Sequence, residues 1–179
     1  MRFILADILT LGQHLEQLAQ AIELYRPPQC PYCSHPVVWN HGFYERKADR
    51  VNSGDKTLNP IPIPRFCCAR CRRTFSVLPE CIPPRRWYLW LFQQRCLKGC
   101  LEGGSFRQLS PLFALARSTI SRWFHWLKGR SPDFQRTLCV AYPAQGYFAQ
   151  WTDFWRHWFD QYLLSKAMWQ LSRSGWAVP

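Results

Sequence analysis

Cys30-Pro-Tyr-Cys33 and, further on, Arg65-Phe-Cys-Cys-Ala-Arg-Cys-Arg-Arg-Thr-Phe75 decide how this chain folds. Each contains two cysteines separated by two residues. A Cys-x-x-Cys turn aims backbone N–H groups at its sulfurs, and two such knuckles supply four thiolates at the corners of a tetrahedron. All-sulfur tetrahedral ligation selects zinc. The spacing therefore predicts one structural Zn²⁺ held by Cys30, Cys33, Cys68 and Cys71. Cys67 directly precedes Cys68, so Cys67-x-x-x-Cys71 is an alternative second knuckle; the two-residue gap favours Cys68 and leaves Cys67 spare. His35 and His41 are weaker candidate ligands, expected instead in loops or facing phosphate. Disulfide pairing is the competing explanation for such cysteines, but the nine in this chain are an odd number and suit a reducing compartment.

The stretch between the knuckles reads as a β-excursion. Val37, Val38 and Trp39 form one expected strand, and Ile61, Ile63, Arg65 and Phe66 another. Between them VNSGDKTLNP is a polar loop punctuated by Gly54 and Pro60. A zinc ribbon of short antiparallel strands over residues 29–79 follows.

Upstream, Ile4, Ile8, Leu11, Leu15, Leu18, Ile22 and Tyr25 recur at helical spacing, predicting an amphipathic helix within residues 1–28 that stops before Pro27 and Pro28. His14 is expected on its solvated side. Residues 80–86, rich in proline around Cys81, read as a linker. Over 87–130 the pattern is a helix from Trp87 to Leu101, a Gly103-Gly104 stop, a short helix FRQLSPLF capped by Ser105, a tight turn, and a helix from Thr119 to Leu127 capped by Ser118. That layout is a helix-turn-helix. Ile120, Trp123, Phe124 and Leu127 form the inward stripe of the last helix, leaving Arg117, Ser118, Thr119, Ser121 and Arg122 to face out where base edges are read. Cys96 and Cys100 are expected in the core. Residues 131–179 read as a loop with a short strand at Leu138–Tyr142, then one long aromatic helix from Tyr147 to Leu171. Its aromatic face calls for a cover, either the helical domain or another molecule. The expected fold class is thus α+β: a small zinc ribbon, a helix-turn-helix domain and a C-terminal aromatic helix.

Charge points to the partner. The net +12 is uneven: residues 1–64 carry six basic and six acidic side chains, whereas residues 65–136 carry fourteen basic and only Glu80, Glu102 and Asp133. A localised, arginine-rich excess suits a polyanion. Arg46, Lys47, Arg65, Arg70, Arg72, Arg73, Arg85 and Arg86 are the expected phosphate contacts, which set affinity and orientation more than sequence choice. The N-terminus is a poor signal peptide, and no apolar run approaches the roughly 20 residues of a membrane helix.

The runs CPYC, HGFYER and PRFCCARCRRTFSVLP, followed by SFRQL and STISRW, resemble the zinc-ribbon and helix-turn-helix head of insertion-sequence transposases and related proteins of bacterial mobile elements. The resemblance spans about Cys30 to Leu127 and is most specific from Cys68 to Pro79, although the usual glycine of the helix-turn-helix turn is missing. It implies binding to double-stranded DNA in the bacterial cytoplasm, at the nucleoid, alongside a separate transposase or other nucleic-acid enzyme, with a homodimer through the N- or C-terminal helix as a further expectation. Transposases cut DNA with three carboxylates on a sheet. Here the segment after the helix-turn-helix offers only Asp133, Asp153 and Asp160 and lacks a repeating strand pattern, too short and too helical for such a sheet, so no catalysis is expected. A truncated transposase remnant, or a zinc-containing assembly subunit that holds nucleic acid non-specifically, are the alternatives.

Overall fold

A computed structural model describes residues 2–47, 60–84 and 88–178. The chain divides into two compact units, Met1–Leu89 and Trp90–Val178. The architecture is α+β, with a four-stranded sheet in the first unit and helices in the second.

In the first unit, β1 (Arg2–Leu5), β2 (Val38–Arg46), β3 (Ile61–Cys68) and β4 (Thr74–Pro79) lie in the order β1-β4-β3-β2. The β2–β3 and β3–β4 pairs are antiparallel, and β1 runs parallel to β4. A register shift between Asn40 and Phe43 breaks β2, where Gly42 takes φ 76° and its N–H bonds Asn40 Oδ1 at 3.0 Å. Such a bulge needs the left-handed conformation that glycine adopts without steric cost. Alternation along the strands feeds two cores. Val38, Phe66, Cys68, Phe75 and Val77 pack with Ile8 and Tyr25, while Ile61, Ile63 and Leu78 pack with Leu11, Cys81 and Ile82. The loop VNSGDKTLNP lies outside the described residues except for Pro60, as do Arg85, Arg86 and Trp87.

The expected helix from Ile4 to Tyr25 is corrected. Arg2–Leu5 is a strand, α1 spans only Leu11–Gln20, and Ile22–Tyr25 is a turn of 3₁₀ helix. Ile4 and Leu5 are drawn off by the open edge of β4, opposite Leu78 and Pro79. Thr10 then restarts the chain: its hydroxyl accepts the Gln13 N–H at 3.1 Å, and Gln13 Oε1 accepts the Thr10 N–H at 3.1 Å. This reciprocal capping box fixes where α1 begins. His14 is corrected too. It is fully buried, with Nδ1 2.5 Å from the Tyr25 hydroxyl and Nε2 2.8 Å from the Pro62 carbonyl. Burial lowers its pKa, partly offset by the Pro62 contact. Burial also pushes Tyr25 upward, with Cys81 adding to the effect, so its hydroxyl stays a donor.

The second unit comprises α2 (Trp90–Leu101), α3 (Phe106–Leu112), α4 (Arg117–Ala141), α5 (Trp151–Gln161) and α6 (Leu164–Arg173). Three expectations change. The last helix of the helix-turn-helix begins after Ala116, not after a Ser118 cap, and runs on through residues expected to be loop and strand. Pro132 lies within α4, on its exposed side. The expected single C-terminal helix is two. Tyr162 and Leu163 are extended, and the freed Leu164 N–H is taken by Gln94 Oε1 at 2.6 Å. The aromatic residues of α5 have a cover within this unit: Phe154, Trp155 and Trp158 are fully buried, and Trp155 Nε1 donates to Ser131 Oγ at 2.8 Å. Among the described residues, no helix is long and apolar enough to cross a membrane.

Candidate functional site

The two knuckles converge. The sulfurs of Cys30, Cys33, Cys68 and Cys71 all lie within 4.8 Å of one another, a set able to hold a metal ion. Cys30 and Cys71 are 3.7 Å apart at sulfur, and Cys33 and Cys68 are 3.6 Å apart. A tetrahedron with metal–sulfur bonds of about 2.3 Å has edges of about 3.8 Å, so these separations suit one ion. Each knuckle also presents an N–H to its first sulfur: Tyr32 to Cys30 at 3.4 Å and Cys71 to Cys68 at 3.5 Å. Ser34 and Arg72 take positive φ just after the knuckles, which curls the backbone around the sulfurs. Cys67 stands aside on β3, its sulfur 3.7 Å from the Arg72 carbonyl.

The thiols are not equivalent. Burial disfavours the Cys68 thiolate, but the N–H groups of Cys71 and Arg70, with the Cys30 and Cys33 thiols, outweigh it and bring the group down to about 6. For Cys71 the Arg73 N–H favours the thiolate, yet burial and the other three cysteines prevail and raise it to about 11. The remaining cysteines lack this setting. Burial raises Cys81 to about 12, with its own backbone N–H opposing and Glu80 reinforcing the rise. Cys96 and Cys100 are buried in the second unit, as core residues.

The basic residues of the ribbon divide by use. Arg46 is committed to structure, donating to the carbonyls of Pro83 at 2.5 Å and Pro84 at 3.1 Å, and so tying residues 83–84 to β2. Lys47, Arg70, Arg72 and Arg73 are exposed. Arg72 lies over the Trp39 ring at 5.6 Å and Arg73 over Tyr32 at 5.2 Å. Arg65 is half-buried and reaches Thr74 Oγ1 at 3.4 Å.

In the second unit, Ser105 and Gln108 form a capping box that starts α3. The helix ends where Leu115 N–H bonds the Ser110 carbonyl at 3.0 Å and Ala114 N–H bonds the Pro111 carbonyl at 3.3 Å, with Ala114 at φ 50°. This is a Schellman ending whose left-handed position carries alanine where glycine is usual. After it, Ala116 opens α4 without a side-chain cap. Ile120, Trp123 and Leu127 are buried and Phe124 half-buried, while Arg117, Ser118 and Arg122 are exposed and Thr119 and Ser121 half-buried. All five lie on the first two turns of α4. The Ser121 hydroxyl is 3.2 Å from His125 Nδ1. One residue that organises the first unit was not singled out as such from sequence: His14, whose ring bridges the Tyr25 hydroxyl and the Pro62 carbonyl.

No curated protein and no solved structure matches this chain. A family model described as a domain of unknown function, DUF6431, matches residues 30–123, from the first knuckle cysteine to the buried Trp123 of α4. The match takes in both knuckles and the α3–turn–α4 segment and covers more than half the chain, which therefore belongs to the DUF6431 family.

Proposed function

We propose that this protein is a non-catalytic, sequence-specific binder of double-stranded DNA, with a zinc-stiffened ribbon and a helix-turn-helix formed by α3 and the start of α4. The observation that carries the reading is the surface of α4. A buried Ile120/Trp123/Leu127 stripe anchors the helix, and Arg117, Ser118 and Arg122 stand exposed on its first two turns. Residues at that end of a recognition helix reach base edges: arginine pairs bidentately with guanine, and hydroxyls serve several bases. The uncapped N-terminus leaves backbone N–H groups for a phosphate.

Zinc is the ion we assign to the four-cysteine cluster, because four thiolates at tetrahedral spacing offer it a closed structural site with no open position for a substrate. The acidic residues after residue 130 support a binding role over hydrolysis. Asp153 pairs with Arg156 at 2.9 Å, Asp160 with Lys98 at 2.8 Å and Asp133 with Arg136 at 4.0 Å, so each is engaged in an ion pair. With the resemblance of its ribbon and helices to transposase heads, we place the protein in a bacterial mobile element, directing a separate nucleic-acid enzyme or repressing a promoter.

The test is selection of duplexes from a random library by the zinc-loaded full chain, followed by competition at physiological salt. A preference of roughly a thousandfold for selected over scrambled duplexes is expected, and Arg122→Ala should relax the preferred base at one position. A ratio near unity, or an equal loss on every duplex in the variant, would sink the assignment and favour the non-specific assembly subunit.

A further inference from the structure

The knuckle end of the sheet carries a second surface with its own chemistry. Trp39, Cys67 and Thr74 lie directly opposite one another across β2, β3 and β4, so their side chains share a face. Arg65, two residues from Cys67 on β3, joins them and bonds Thr74. Of the nine described tryptophans Trp39 is the only exposed one, with 48 % of its surface open. Arg72 lies over its ring at 5.6 Å. That arginine is held by the second knuckle, its N–H bonding the Cys68 carbonyl at 3.1 Å at a positive φ. The three strands contain one carboxylate, Glu45, which the register puts on the opposite face. At the other end of the face, Tyr44, Ile61, Ile63 and Leu78 are covered by Leu11, Cys81 and Ile82. The knuckle end therefore presents a half-open aromatic ring with the Arg72 guanidinium over it and Arg65 on the same face, where the three strands carry no acid.

We propose that this patch binds single-stranded nucleic acid, with an unpaired base stacked on Trp39 and the flanking phosphates held by Arg65 and Arg72. A flat indole accepts any base, because every base has a π-face, while the guanidinium groups supply the charge complement to the backbone. A duplex keeps its bases stacked on one another and cannot offer one to the ring. This makes the site selective for single strands and separate from the proposed duplex contacts of α4. Arg72 depends on the knuckle turn for its place, so the patch also depends on the metal centre.

The experiment measures anisotropy of a labelled twelve-nucleotide oligothymidine and of a selected duplex, titrated with the zinc-loaded full chain. Wild type is compared with Trp39→Ala, Trp39→Phe and Arg72→Ala, each checked for zinc content and circular dichroism. We expect Trp39→Ala to weaken oligothymidine binding roughly tenfold or more, Trp39→Phe to restore most of it, and duplex binding to stay unchanged. Arg72→Ala should lower the salt dependence for the single strand by about 0.7 in the log–log slope. The proposal is overturned if Trp39→Ala binds oligothymidine as tightly as wild type, or if single-strand and duplex binding fall together. It is equally overturned if the only change is loss of a dimer, which would make the patch a protein interface. Duplex binding without Trp39-dependent single-strand binding removes this inference alone; the reverse result removes the α4 reading alone.

Discussion

Replacing Ala114 by glycine should stabilise the Trp90–Val178 unit. Ala114 holds φ 50° in the turn between α3 and α4, where both hydrogen bonds of the Schellman ending require it to stay. A Cβ in the left-handed region costs about 1–2 kcal/mol. Glycine removes that cost but gives the unfolded chain extra freedom worth about 0.4–1 kcal/mol. Ala114 is exposed, so losing its methyl group takes no buried surface away. The net gain is roughly 0.5–1 kcal/mol, several degrees in Tm for a unit of this size. Eight of the nine described tryptophans lie in this unit, so urea denaturation followed by tryptophan emission reports chiefly on it. Ala114→Val should move the midpoint the other way, since a β-branched side chain resists this conformation. Because the turn is already left-handed, Ala114→Gly should leave the placement of α4, and so duplex affinity, unchanged. An unchanged or lowered midpoint in Ala114→Gly would refute the claim that strain is stored at this residue.

Glycine is required a few residues upstream. A Cβ on Gly104 would meet the Gly99 carbonyl oxygen at 2.8 Å and Leu109 Cδ2 at 3.2 Å, so Gly104→Ala should destabilise the same unit by about 1–3 kcal/mol in the same urea assay. In the first unit, the lowered pKa of His14 means the fold prefers its neutral form. Its contribution is fully present above the unfolded value near 6.5 and is lost as pH falls below that towards the folded value, at about 1.4 kcal/mol for each unit between the two. His14→Gln should flatten the decline in stability between pH 7 and 5, and an identical slope in both proteins would show that other groups govern it. Chelating the metal should unfold the knuckle end of β2–β4, read as lost amide protection from hydrogen exchange, and Cys33→Ser should reproduce the effect. Full protection in the metal-free protein would mean that the two cores suffice without an ion.

How much was legible from sequence varied with the range of the interaction responsible. The four-cysteine cluster was readable because ligand identity and knuckle geometry are local, and Cys68 over Cys67 followed from the two-residue gap. The buried stripe of α4 was readable because amphipathic spacing depends on one helix alone. The start of the chain was not: Ile4 fits a helical pattern, and only the free edge of β4, more than 70 residues away, makes it a strand. The break between α5 and α6 is invisible for the same reason. No glycine or proline marks Tyr162–Leu163, and the break is sustained by Gln94 of α2 accepting the Leu164 N–H.

The candidate binding residues follow the same logic. An arginine's charge is evident in sequence, but its use depends on what lies within reach of a long side chain. Arg46 spends its guanidinium on two proline carbonyls, Arg65 turns to Thr74, and Arg72 lies over Trp39, although all three contribute equally to the net charge. A basic excess can thus argue for a polyanionic partner while saying little about where it binds. What separates a contact from a brace is whether the group's hydrogen bonds are already made within the fold. By that criterion Arg46 is withdrawn from the expected phosphate contacts, and the exposed Arg117 and Arg122 of α4 and the aromatic-backed Arg72 of the ribbon become the positions at which substitution should separate duplex from single-strand binding.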